Sequence, residues 1–287
     1  MDRRLTKTYS PFFDRGYRMK KSVIFWSVIL VAGCLIVLYP TLSNYWNAQH
    51  QSQLIADYIS STQALRHKDS QLMLEAANQY NQQLKANHDP DLTLTDSEAE
   101  AYQQQLDLTN TGIMAYIDIP KVHERLPIYH GTDEEILQVA IGHLAGTSLP
   151  VGGKGTHAVI SGHRGLPSAK LFTNIDKLRI NDTFTITSLN RTMTYQVDKI
   201  ATVLPDDVSL LRIEEGKDLV TLVTCTPYGV NTHRLLVRGH RIKTATPAAA
   251  RGSQKPSRLI LWLLLISALG LSLVLIGTWR WCRRSKA

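Results

Sequence analysis

The sequence predicts a mainly β fold, a closed or nearly closed β-barrel with short helices, preceded by a helical segment and flanked by two transmembrane helices. Three observations support this class. Residues 112–243 contain many short β-branched runs separated by Gly and Pro turns. Residues 41–111 include stretches with apolar side chains at helical spacing. Residues 22–40 and 259–279 are apolar runs without a charged residue.

The predicted strands follow from alternation and β-branched content. Residues 183–188 read TFTITS, a strict alternation of polar and apolar side chains. Two helices are predicted between strands, at 134–141 and at 168–178, where Leu171, Ile175 and Leu178 share one face. The other predicted strands cover residues 113–119, 124–129, 157–163, 191–204, 218–225 and 233–243.

The helical segment before the barrel is interrupted once. Residues 47–86 have apolar side chains at helical spacing, and residues 96–106 form a second, acidic, helix-compatible stretch. Between them Pro90 disfavours helix at the residue before it.

Basic residues flank the two apolar runs and predict a two-pass topology. Seven Lys and Arg residues precede the first run, and none follows it until Arg66. By the positive-inside rule the N-terminus lies in the cytoplasm and the region between the runs lies outside the cell membrane. We therefore expect a cytoplasmic basic tail (1–21), a signal-anchor helix (22–40), an extracellular helical region (41–111), a catalytic barrel (112–243), a linker (244–258), a second transmembrane helix (259–279) and a basic tail (280–287).

The net charge of +8 is concentrated in these two flanks rather than on a binding surface. No nucleic-acid-binding motif accompanies it, so we expect a membrane and no nucleic-acid partner. Cys225 is the only cysteine between the apolar runs, so no intrachain disulfide is available there. A single cysteine is either a small buried apolar residue or a nucleophile.

The surroundings of Cys225 favour the nucleophile. Residues 221–229 read TLVTCTPYG, and a second predicted strand leaves through Arg234, so a hairpin would place Cys225 and Arg234 side by side. Upstream, residues 159–165 read VISGHRG and place His163 at a strand end. A thiolate attacks carbonyl carbon, a histidine can supply and accept the proton, and arginine can stabilise an oxyanion. Together these side chains fit acyl transfer through a thioester.

These strings resemble the active-site signature of sortases, and most closely class C, the pilin-polymerising sortases of Gram-positive bacteria. The resemblance runs from about residue 113 to 242 and includes GHLAGTSLPVGG at 142–153. It implies an eight-stranded sortase barrel, with Cys225 as nucleophile, His163 as general acid/base and Arg234 at the oxyanion. It also implies pilin or surface-protein substrates with LPxTG-like sorting signals, and a pilin lysine or a peptidoglycan precursor as acceptor. We expect Thr224 to bind substrate beside Cys225.

Class C sortases carry a lid with an Asp-Pro-aromatic motif ahead of the barrel. The corresponding residues here are Asp89, Pro90 and Asp91, which lack the aromatic ring. We expect a lid segment that has no aromatic ring to cover Cys225, and in which Asp89 can pair with Arg234. The alternative is a solvated turn at the same residues.

Two other functions are consistent with parts of the sequence. A membrane-bound cysteine peptidase would use water as acceptor, and it needs no arginine. A non-enzymatic surface scaffold would need none of the three residues. No histidine has metal-ligand spacing with Cys225, and we expect neither a metal nor a cofactor.

Overall fold

The computed structural model describes residues 12–84, 90 and 92–243. They fall into two compact units, the first ending at Leu42 and the second beginning at Ser43. The linker, the second predicted span, the C-terminal tail, Asp89 and Asp91 lie outside the described residues.

The first unit is the N-terminal part of a long helix, α1 (Phe12–Ala64). This helix begins within the predicted cytoplasmic tail. Its most apolar 18-residue window has a mean hydropathy of 2.1 and none of that window is buried. An exposed apolar helix of this length fits a membrane anchor.

The second unit contains the rest of α1 and a closed eight-stranded barrel in the order β1-β2-β3-β4-β7-β8-β6-β5. Two neighbouring pairs, β2 with β3 and β4 with β7, are parallel, and the other pairs are antiparallel. The elements after α1 are α2 (His67–Leu84), α3 (Asp96–Gln103), β1 (Ile113–Ile119), β2 (Glu124–His130), α4 (Glu134–Leu137), β3 (Ile141–His143), β4 (Thr156–Ser161), β5 (Thr183–Ser188), β6 (Arg191–Val203), β7 (Asp218–Thr226) and β8 (His233–Ile242).

The barrel confirms the mainly β prediction and seven of the eight strands within a few residues. The sequence missed β3, which has three residues and is too short to show alternation. The predicted helix at 134–141 ends at Leu137, because Ile141 pairs with Ile128 of β2 instead.

The predicted helix at 168–178 is wrong. Only a single 3-10 turn forms there, at Ile175–Lys177, and Leu171 has a positive φ of 36° that a helix does not allow. Leu171, Ile175 and Leu178 are nonetheless buried in the core. The apolar spacing therefore reflects a loop that packs its side chains against the barrel rather than a helix.

The helices of the second unit are attached to the barrel through buried polar contacts as well as apolar ones. The hydroxyl of Tyr58 in α1 donates to the carbonyl of Met114 (2.9 Å) and accepts from the amide of Leu189 (3.2 Å). In α2, the side chain of Asn81 exchanges hydrogen bonds with both backbone groups of Leu149. These contacts satisfy groups that would otherwise be buried unpaired, so they fix where each helix packs.

Candidate active site

Strand register brings the three predicted catalytic residues to one end of the barrel. Cys225 of β7 lies directly opposite Arg234 of β8 in an antiparallel pair. Residues opposite each other in such a pair project from the same face of the sheet, about 5 Å apart. The predicted hairpin contact between Cys225 and Arg234 is thus present in the backbone.

His163 reaches the same end because β4 and β7 are parallel. Ser161 at the end of β4 pairs with Val223, and the amide of Gly162 donates to the carbonyl of Val223 (3.1 Å). His163 is the second residue after the end of β4, and Cys225 is the second residue after Val223 in β7. Within β7, Val223 and Cys225 project to the same face.

Gly162 allows the chain to pass close to the core just before the histidine. A Cβ at this position would lie 2.7 Å from Cγ2 of Ile141 and 2.8 Å from Cδ2 of Phe172. The amide of Phe172 in turn donates to the carbonyl of His163 (3.1 Å). The backbone of His163 is therefore held between β7 and the buried loop.

Thr224 has a different environment from the one the sequence predicts. Its side chain is 1% exposed and its hydroxyl donates to the carbonyl of Gly162 (2.7 Å). It lies on the opposite face of β7 from Cys225. The hydroxyl joins β7 to the segment that carries His163, and contact between Thr224 and substrate stays a prediction.

Cys225 is half-buried on the outer face of the barrel, next to an apolar surface. Val223, two residues earlier on that face, packs with buried Val159 and Leu236 and with Leu211 of the β6–β7 connection. Part of this cluster is only partly buried, including Val203 and Val208. Cys225 thus lies two residues along β7 from Val223, a member of this partly exposed apolar cluster.

Arg234 is oriented by backbone oxygens. Its Nη1 donates to the carbonyls of Asn231 (3.3 Å) and His233 (3.2 Å). No carboxylate of the described residues forms an ion pair with it. The remaining N–H groups of the guanidinium are therefore available to a carbonyl oxygen beside Cys225.

His163 has one acidic neighbour that sequence reasoning missed. Its Nε2 lies 3.4 Å from Oε2 of Glu134, at the start of α4. The pKa of Glu134 is lowered by the side-chain hydrogen bond from Gln138, and the charge of His163 lowers it further. Glu134 is 29 residues from His163 in sequence, so no local sequence pattern reveals the pair.

Arg164, which follows His163 directly in the sequence, is largely buried. Its side chain is 12% exposed and pairs with Asp176. Tyr228, in the turn after Cys225, lies beneath its guanidinium.

The other barrel histidines have structural partners. His157 is buried, and its ring nitrogens contact the carbonyl of Arg212 and the hydroxyl of Thr221, each at 2.7 Å. Burial lowers the pKa of His157. Within residues 12–84, 90 and 92–243 there is no cluster of three or more His, Cys, Asp or Glu side chains able to hold a metal ion.

The predicted lid residues are only partly within the described structure. Pro90 is half-buried, while Asp89 and Asp91 are outside it. The suggested pairing of Asp89 with Arg234 stays a prediction.

The chain is similar in sequence and in structure to known proteins. Residues 117–242 match the sortase domain family. The crystal structure of sortase C1 from Streptococcus agalactiae is 51% identical, with a TM-score of 0.65, over 67% of this chain and 100% of that one. Sortase C of Streptococcus pneumoniae, whose structure is described in terms of pilin substrate specificity, is 38% identical with a TM-score of 0.60, over 68% of this chain and 99% of that one.

Among curated proteins, sortase D of Bacillus subtilis is 29% identical over 129 residues, which is 44% of this chain and 62% of that protein. The chain thus spans less than two thirds of that curated relative. The barrel topology, the pairing of Cys225 with Arg234, and the 51% identity to a solved sortase over all of that chain lead to one conclusion: this chain belongs to the sortase family.

Proposed function

We propose that this protein is a cysteine transpeptidase that cleaves an LPxTG-like sorting signal and transfers the acyl group to an amine. The observation that supports the proposal most is that Cys225 pairs with Arg234 across β7 and β8, while His163 follows the end of β4, the parallel neighbour of β7. The apolar cluster beside Val223 fits the Leu-Pro part of such a signal.

The chemistry follows from the positions of the three side chains. The Cys225 sulfur attacks the carbonyl carbon of the scissile Thr–Gly bond, and Arg234 donates to the carbonyl oxygen as negative charge develops on it. His163 gives a proton to the departing glycine amine, which leaves a thioester on Cys225. An incoming amine then loses a proton to His163 and attacks the thioester, and Cys225 departs as thiolate.

The acceptor amine we propose is a lysine of the next pilin subunit. The support is similarity to sortases C over nearly their whole solved length, together with helices α1 to α3 ahead of the barrel. A peptidoglycan-precursor amine is the competing acceptor, and water would make the enzyme a peptidase.

For the membrane topology, we propose two spans with the barrel outside the cell and both termini in the cytoplasm. The apolar part of α1 and the seven basic residues before it support a first span with the N-terminus in the cytoplasm. Protease protection of a tag after residue 287 in intact cells would test the second span and the cytoplasmic C-terminus. A tag digested from outside would contradict it.

The activity is tested with the full chain in detergent micelles and a labelled peptide containing Leu-Pro-x-Thr-Gly. A lysine-bearing pilin peptide and a peptidoglycan-precursor amine are offered in competition, and products are identified by mass spectrometry. We expect an amide to the lysine side chain. Cys225→Ala should abolish product, whereas Cys34→Ala, which removes the other described cysteine, should not.

The products formed in this assay distinguish the competing acceptors and test the role of Cys225. Transfer only to the peptidoglycan-type amine would make the protein a wall-anchoring sortase. Hydrolysed peptide alone, with every acceptor, would overturn the transpeptidase proposal. Unchanged product with Cys225→Ala would overturn the nucleophile itself.

A further inference from the structure

Arg164 follows the predicted acid/base His163 and is directed away from solvent. Burying a guanidinium is costly unless it is paired and hydrogen-bonded. Its side chain is 12% exposed, which is less than either Asp176 (39%) or the side chain of His163 (27%). The partners of the Arg164 guanidinium therefore indicate the role of this side chain.

Those partners belong to two separate segments. Nη2 of Arg164 lies 2.5 Å from Oδ2 of Asp176, in the loop that follows His163. Nη1 donates a longer hydrogen bond to the hydroxyl of Thr226 (3.4 Å), the residue directly after Cys225. The guanidinium carbon is 5.8 Å from the centre of the Tyr228 ring, within reach of a cation–π contact. One side chain thus connects the His163 loop to the turn after Cys225.

A second contact joins the same two segments. Gly165 has a φ of 81°, and a Cβ there would lie 2.9 Å from Cε2 of Tyr228. The amide of Gly165 donates to the hydroxyl of Thr173 (3.1 Å), which holds the loop in this position. The glycine is therefore needed both for its backbone conformation and for the close approach of the tyrosine.

The backbone alone does not fix this loop against β7. The β4–β7 pairing ends with Ser161, and the last backbone hydrogen bond is the one from Gly162 to Val223. Beyond it, His163 is bonded through its carbonyl to the amide of Phe172, and side-chain contacts join this loop to the turn after Cys225. Because Thr226 and Cys225 are consecutive in a strand, their side chains point to opposite faces. Arg164 therefore reaches the turn from behind the catalytic face.

We propose that Arg164 is a positioning residue that fixes the distance between His163 and Cys225 by binding Asp176 and the Thr226–Tyr228 turn together. The proposal rests on the proposed transpeptidase function. A small displacement of a catalytic group can cost about 100-fold in rate. Loss of Arg164 should therefore lower the rate of the chemical steps without changing the binding of the sorting signal.

The test is the steady-state kinetics of Arg164→Ala in the full chain. We expect kcat to fall by about 10- to 100-fold with KM within about twofold of wild type. Arg164→Lys can pair with Asp176 but has no fork to reach Thr226 as well. It should keep the thermal unfolding midpoint near that of wild type and still leave kcat at least about threefold low.

Arg125→Ala is the matched control. Arg125 also pairs with an aspartate (Nε to Oδ2 of Asp118, 3.3 Å) and lies 4.7 Å from the ring centre of Tyr116, but it joins β1 to β2, which carry none of the three catalytic residues. This variant should lose stability without losing kcat below its unfolding midpoint. An equal loss of kcat in both variants would show that Arg164 acts only through stability.

Two further outcomes overturn the proposal. A kcat for Arg164→Ala within twofold of wild type would show that no positioning is lost. A raised KM at unchanged kcat would make Arg164 a substrate-binding residue.

The rate of alkylation of Cys225 by iodoacetamide provides a readout that needs no sorting signal, with Cys34 as internal reference. We expect Arg164→Ala to slow it at least about threefold, because a displaced His163 assists the thiolate less. Equal alkylation would refute the positioning role even if wild type transfers no acyl group. Failure of transfer by wild type with slowed alkylation in the variant would refute only the proposed function.

Discussion

The stability of the protein should fall on mild acidification because of one buried histidine. His143 in β3 is completely buried, and burial lowers its pKa to about 4. Its Nε2 faces the carbonyl of Ser148 (2.8 Å), which can only accept, so Nδ1 of the neutral ring is the acceptor facing the hydroxyl of Tyr102 (3.0 Å). Tyr102 stacks on the ring and belongs to α3. The neutral imidazole thus attaches α3 to the barrel.

The sign and size of the effect follow from linkage. In the unfolded chain His143 regains its ordinary pKa of about 6.5, so between about pH 6.5 and 4 the unfolded state binds more protons. The contribution to stability is fully present above about pH 6.5 and is lost as the pH falls toward 4. From pH 7 to pH 5 the two pKa values give a loss of about 2 kcal/mol. Nearby His130 acts in the same direction, since its charge also disfavours a charged His143.

The measurement compares wild type with His143→Gln, because other groups titrate in the same range. One of them is Glu124, whose pKa burial raises to about 7. Urea unfolding of the full chain in detergent is followed by circular dichroism at pH 7 and pH 5. We expect the stability gap between wild type and variant to narrow by about 2 kcal/mol at the lower pH.

The control is His50→Gln, at an exposed position, which removes a histidine without removing a buried imidazole. If the gap for His143→Gln stays constant within about 0.5 kcal/mol, the reasoning from burial is wrong. A gap that widens at pH 5 would show that the folded protein favours the charged ring.

Three further outcomes are expected. Arg234→Lys should lower the rate of acyl transfer by about 100-fold or more, since an ammonium cannot reproduce the fork at the oxyanion. The unfolding midpoint of this variant should stay near that of wild type, because among the described residues Arg234 bonds to backbone oxygens of its own turn. Kinetics and thermal unfolding of one preparation check both results. Gly162→Ala should destabilise by about 1–3 kcal/mol in urea, because its Cβ would lie 2.7 Å from Ile141, and an unchanged midpoint would contradict the close packing. Asp91→Trp supplies the aromatic ring of a lid and should slow thiol labelling of Cys225 at least about tenfold relative to the Asp91→Asn control. Labelling is read by peptide mass spectrometry. Labelling of Asp91→Trp as fast as that of the control would count against any lid at these residues.

Most of the strands and the pairing of Cys225 with Arg234 were predictable from local patterns. Alternation identified β5, and β-branched runs identified β1, β6, β7 and β8, because a strand buried on one face imposes its period on the sequence. Cys225 and Arg234 were paired correctly because a short turn between two strands leaves little freedom in register. Local spacing failed at residues 168–178, where the same apolar periodicity serves a buried loop.

By itself, the sequence determined the mainly β class, the apolar N-terminal helix and the residue types for acyl transfer. Each of these depends on neighbours within a few positions, where side-chain period and charge are visible. Tertiary structure alone decided the parallel pairing of β4 with β7, which brings the end of β4, just before His163, beside Val223 of β7. It also decided the burial of Thr224, the approach of Glu134 to His163, and the connection through Arg164 to Thr226. These contacts join residues 29 to 62 positions apart, and such pairings are set by closure of the whole barrel rather than by any local pattern.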